Sequence, residues 1–128
     1  GFLLTGDTVY PGRLYGHDMN EFTRSMDRLV AFAEERPVTH VMGCHIEMST
    51  GPEWDYPMGS KYQPDEPPLQ MTVEQLRGVR DAAHAAAAKP GVYVYRDFII
   101  ASGMGFRTVV KLIYRSLRQR LGTLRPKT

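Results

Sequence analysis

An α/β layered fold is what the sequence predicts, and three observations carry the prediction. Short apolar runs end at glycine, long stretches repeat their apolar residues at helical spacing, and the two kinds alternate along the chain. The 128 residues suit one domain with a modest core. A hydrophobic content of 42%, with 12 glycines and 9 prolines, fits an ordered protein with long loops.

Phe2 to Thr5 is an apolar run closed by Gly6-Asp7, which suits a buried strand. Thr8 to Asp18 holds Pro11-Gly12 and Gly16 and is expected to be loop. Asp18 with Glu21 three residues later fits a helix-capping box. Phe22, Met26, Leu29, Val30 and Ala33 then recur at helical spacing until Pro37 stops the helix. Val38 to Met42 predicts a second strand, ending at Gly43. Ser49 to Leu69 holds Pro52, Pro57, Pro64, Pro67 and Pro68, and a loop of that length in a compact domain is usually functional or mobile. Thr72 and Gln75 repeat the capping signature before an Ala-rich helix closed by Pro90-Gly91. "VYVY" and "DFII" are β-rich runs, as one bent strand or two. Residues 106–128 are expected to form a basic amphipathic helix and tail, the helix running from Phe106 to Leu121. Its apolar stripe is expected to pack on the domain in the ordinary way; a membrane surface is the less favoured partner.

The net charge of +2 gives no argument for nucleic acid. The charge is uneven, however: no acidic residue follows Asp97, whereas Arg107, Lys111, Arg115, Arg118, Arg120, Arg125 and Lys127 do. The single cysteine, Cys44, excludes an internal disulfide and favours a reducing, cytoplasmic setting. No apolar run approaches the roughly 20 residues of a membrane span. The chain starts without Met and inside a strand, so an amino-terminal part of the domain is expected to be missing.

Chemistry concentrates at two strand ends. Asp7 and His45 each follow a short apolar strand and a glycine, and ligands bind in α/β sheets beyond the carboxyl ends of strands. A carboxylate and an imidazole brought together suit zinc or iron. Cys44, one residue from His45, is expected to point away by strand alternation and to be a small buried hydrophobe. Glu47 shares the parity of His45 and could support the site. Asp55, Asp65 and Glu66 read as loop and turn residues, and His17, His40 and His84 as structural or solvent-facing.

The wording "LLTGDTVYPGRLY" followed by "THVMGCHIEMS" resembles the fourth and fifth metal motifs of the metallo-β-lactamase superfamily. The likeness continues through "YQPDEPPLQMTVEQL" to about Phe98. The resemblance implies a bridging role for Asp7 and a second-site role for His45, in a dinuclear zinc centre with iron or manganese as alternatives. It also implies a hydrolase that uses a metal-held hydroxide on an ester, thioester, amide or phosphoester of a small molecule. The family's His-x-His-x-Asp-His motif is absent, as is its third-motif His. Residues 1–128 would then be the carboxyl-terminal half of an αββα sandwich, a mixed sheet flanked by helices with one apolar face uncovered. The partner would be the missing amino-terminal half. The alternative is a non-catalytic interaction module that keeps half of the fold. Tyr56, Lys61 and Tyr62, in the long loop, are the candidate substrate-binding residues, with Trp54 of the same loop and Tyr10 and Tyr15 of the loop after Asp7 as further candidates.

Overall fold

The structure, a computed structural model, describes residues 1–103 and 105–122. Along the chain run β1 (Phe2–Gly6), β2 (Arg13–Gly16), α1 (Met19–Glu35), β3 (His40–Gly43) and β4 (Gln70–Met71). They are followed by α2 (Val73–Ala88), β5 (Val92–Val94), β6 (Ile99–Ser102) and α3 (Phe106–Arg120). The strands form two three-stranded sheets, β1-β3-β4 and β2-β6-β5, each with one parallel and one antiparallel pair. The mixed α and β class agrees with the sequence, but two small mixed sheets replace the single one expected.

Parallel neighbours need a crossover, and α1 supplies the one between β1 and β3. Their register pairs Leu3 with Val41 and Gly6 with Gly43, so both strands end at the same edge. The helix begins where its sequence says: the Asp18 carboxylate accepts from the Asn20 and Glu21 amides, filling donors that the first turn leaves open. In α2, Thr72 and Gln75 form a complete capping box. Met26, Val30 and Ala33 of α1 meet Leu76, Val79, Ala83 and Ala86 of α2, with Val41 and Ile100 from the two sheets in the same core. Each fully buried aliphatic side chain there contributes roughly 1.5–3 kcal/mol.

Two expectations about the elements are corrected, and one open alternative is decided. The segment after Asp7 contains strand β2, with Leu14 fully enclosed, because β6 offers a parallel partner that no local signal announces. Of the alternatives for the two β-rich runs, two strands is the one found: they form an antiparallel pair, β5 and β6. The largest correction concerns α3. It buries Thr108, Leu112, Ser116 and Gln119, whereas Phe106, Val110, Ile113, Tyr114 and Leu117 face outward. Polar contacts fix this rotation: Arg115 and Gln119 both hydrogen-bond Asp55 in the long loop. The helix stops at Arg120, and residues 123–128 of the expected tail lie outside the described residues.

On β1, Phe2 and Leu4 are 69% and 78% exposed, leaving an open apolar strip on that face. Among the described residues, no helix is long and apolar enough to cross a membrane.

Candidate metal centre

Asp7 is the first residue beyond β1. Gly6 turns the chain there in the left-handed region, at φ 53°, and the Thr8 amide closes the turn on the Thr5 carbonyl at 3.0 Å. Gly43 lies flat against the chain after Asp7, where an added Cβ would stand 2.4 Å from the Val9 carbonyl oxygen. The Cys44 amide then donates to the Gly6 carbonyl at 3.1 Å, and the Glu47 amide to Pro11 at 2.8 Å. Backbone thus laces the two segments together, and the side chains just past each glycine must converge.

Three of them do. His45 Nε2 stands 2.7 Å from Asp7 Oδ1, and Cys44 Sγ donates to the same oxygen at 2.7 Å. One ligand atom from each of the three lies within 4.8 Å of the others, and all three residues are exposed. The Tyr10 ring meets the His45 ring edge-on, with centroids 5.2 Å apart, while its hydroxyl donates to the Arg13 carbonyl at 2.6 Å. Asp7 and His45 are thus brought together at the strand ends. Cys44 contradicts its expectation on both counts, being exposed and aimed at the site. Strand alternation stops applying at Gly43, where β3 ends.

Electrostatics reflect the contacts. The Cys44 thiol, and then the neighbouring His45, hold the Asp7 carboxyl below the usual carboxylate range, since both favour its charged form. The same hydrogen bond to a carboxylate pushes the Cys44 thiol up. Burial, reinforced by Glu47, pushes the Tyr10 phenol far above its ordinary value, so it stays a neutral donor.

One oxygen, one sulfur and one nitrogen donor form a set that zinc accepts. Contacts of 2.7 Å are shorter than the about 3.3 Å (N···O) and about 3.5 Å (S···O) between neighbouring ligand atoms implied by tetrahedral Zn–N, Zn–O and Zn–S bonds. The three residues could hold a metal ion.

The other expected residues fall elsewhere. His17 is exposed, His40 bonds Thr39 Oγ1 at 2.7 Å, and His84 Nε2 meets Asp27 of α1 at 2.9 Å. Glu47 accepts from the Arg13 amide at 2.7 Å and from its guanidinium at 3.2 Å. Asp55, expected as a loop surface residue, is 2% exposed. It accepts from Arg13 Nη1, Arg115 Nε and Gln119 Nε2, each at 2.8 Å. Nothing local marks it as buried, because its three partners come from distant segments. Tyr56 is committed to the loop: its hydroxyl accepts from the Asp65 amide at 2.7 Å and its carbonyl from Arg13 at 2.8 Å. Lys61 and Tyr62 face solvent, Tyr62 being 80% exposed.

Comparison with protein-family models, with curated proteins and with solved structures finds no match to this chain.

Proposed function

We propose that Asp7, Cys44 and His45 hold a divalent metal, with Zn²⁺ the best fit, as part of a metallo-β-lactamase-like hydrolase of which this chain is the carboxyl-terminal portion. The observation that carries the metal reading is the convergence of three donors of different type on one point beyond two parallel strands. The hydrolase reading rests on the motif resemblance around Asp7 and His45. Bound zinc supplies a hydroxide at neutral pH by lowering the pKa of its water to about 7.

The chain's own residues do the rest. Asp7 supplies the carboxylate oxygen on which the other two side chains meet, and Tyr10 packs the His45 ring edge-on and limits its rotation. Cys44 must release its proton to become a ligand, so binding is weaker in acid than at neutral pH. Lys61 and Tyr62 present a cation and an amphipathic ring to a small anionic or acyl substrate, and Tyr56 shapes the loop behind them. The remaining ligands of a dinuclear centre, with iron or manganese as alternatives to zinc, come from the His-x-His-x-Asp-His segment of the other half.

Calorimetric titration of the full chain with zinc tests this. One weak site per chain is expected, with affinity at least about tenfold lower in Asp7→Ala, Cys44→Ser and His45→Ala. Unchanged affinity in all three variants would end the metal reading. The chain alone is expected not to turn over a thioester or a phosphodiester, having too few ligands for a catalytic pair. Turnover that disappears in Asp7→Ala would show instead that these residues suffice. A non-catalytic interaction module is the second reading, favoured by the outward apolar face of α3.

A further inference from the structure

Helix α3 turns its apolar residues away from the protein. With 3.6 residues per turn, Phe106, Val110, Ile113, Tyr114, Leu117 and Leu121 fall within an arc of about 100°, opposite buried Leu112 and Gln119. This rotation is enforced. Arg115 Nε holds Asp55 at 2.8 Å, Gln119 Nε2 holds the Asp55 carbonyl at 2.6 Å, and Met58 donates to Ser116 Oγ at 3.1 Å. The polar side is clamped to the loop, so the apolar side must face out.

Charge identifies the occupant. Arg107, Lys111 and Arg118 lie in a row along one margin of the apolar arc, with the Arg118 guanidinium 5.8 Å from the Tyr114 ring centroid. The helix has no acidic residue, nor has the chain after Asp97. Beside the arc, Tyr15, Met58, Val109, Leu112 and Ile113 line an apolar groove of about 310 Å³. We infer that α3 lies in the plane of an anionic lipid surface, its apolar face among the acyl chains, its basic margin at the headgroups and the groove open to one chain. An interfacial helix combines these features: an apolar face, a cationic border and too little length to span. A second copy fits less well, because a self-complementary contact would bring the same basic rows together with no acidic residue on either helix.

The test is co-sedimentation of the full chain with phosphatidylcholine vesicles, with and without about 30% phosphatidylglycerol. Binding to the anionic vesicles is expected to exceed that to neutral ones about tenfold and to fall as salt rises from about 0.1 to about 0.5 M. Leu117→Glu or Ile113→Glu should weaken it at least about tenfold. Arg107→Gln and Lys111→Gln should each weaken it about fivefold. Leu4→Glu, on the open face of β1, should leave it unchanged, and circular dichroism checks that each variant is folded. Absence of binding to anionic vesicles overturns the inference, as does equal loss in Leu4→Glu, which would mean general stickiness. A concentration-dependent dimer that Leu117→Glu dissociates, without vesicle binding, would assign the face to a second copy.

Discussion

Cys44 is the residue whose chemistry the structure changes most. Its thiol sits on the Asp7 carboxylate, which favours the protonated thiol twice over, through the hydrogen bond and through negative charge. Its pKa is raised, so the thiolate should appear at higher pH than in an ordinary cysteine. The rate of iodoacetamide alkylation against pH is expected to have its midpoint above the usual ~8.5, and Asp7→Asn should move it down. A midpoint indifferent to Asp7→Asn would show that the contact does not form in solution. Gly43 matters for a different reason: it is the place where the two segments touch. Gly43→Ala would press a methyl group against the Val9 carbonyl, 2.4 Å from where its Cβ must go. Backbone would have to shift, costing roughly 1–3 kcal/mol and moving His45 from Asp7. A lowered midpoint of thermal unfolding together with weaker zinc binding is the expected pair of outcomes.

Between elements, the buried cluster around Asp55 ties the long loop to β2 and α3. The Asp55 side chain is 3% exposed, and it joins Arg13 at the start of β2 to Arg115 in α3. Burial opposes the Arg13 charge, but Glu47 and Asp55 more than offset it and hold the guanidinium firmly protonated. Asp55→Ala would leave two guanidinium groups facing an emptied site, one of them almost fully buried. The expected loss is ~3–5 kcal/mol in chemical denaturation, with α3 the first element to lose amide-exchange protection. A loss below about 1 kcal/mol would mean that solvent already reaches the cluster. By contrast, Thr72→Ala removes only the capping box of α2 and should cost about 1 kcal/mol. Under the hydrolase proposal, Lys61→Ala and Tyr62→Phe in the long loop should change KM or substrate preference in the enzyme completed by its other half, while metal content holds. Unchanged kinetics on every accepted substrate would mean that these residues serve only the loop.

At the scale of the whole molecule, α1, α2 and both small sheets share one core, yet among the described residues two apolar strips remain open. Phe2 and Leu4 form one of them; the outward face of α3 forms the other. Under the hydrolase proposal the first is where the other half of the sandwich packs, and its coding segment should carry His-x-His-x-Asp-His. Co-expression of that segment should then shield Phe2 and Leu4, raise zinc affinity and confer turnover. An upstream segment without metal ligands would leave the interaction-module reading in possession. Zinc itself should stabilise the folded chain by RT ln(1 + [L]/Kd), so the unfolding midpoint should climb with zinc in the parent chain but not in His45→Ala.

The sequence by itself determined the two long helices of the core, their caps at Asp18 and Thr72, and the glycine stops after the first and third strands. These features are written within a few neighbouring residues, where capping and periodicity act. It also singled out Asp7 and His45, because each comes after an apolar run and a glycine. Tertiary structure decided what depends on distant partners. Strand β2 exists because β6 lies alongside it, and Cys44 turns toward Asp7 because the chain leaves β3 at Gly43. Asp55 is buried because Arg13 of β2 and Arg115 and Gln119 of α3 reach it from two distant segments, and that cluster in turn rolls α3 until its apolar side faces out. Periodicity can name the apolar stripe of a helix, but only the partners of its polar side say which way the stripe will point.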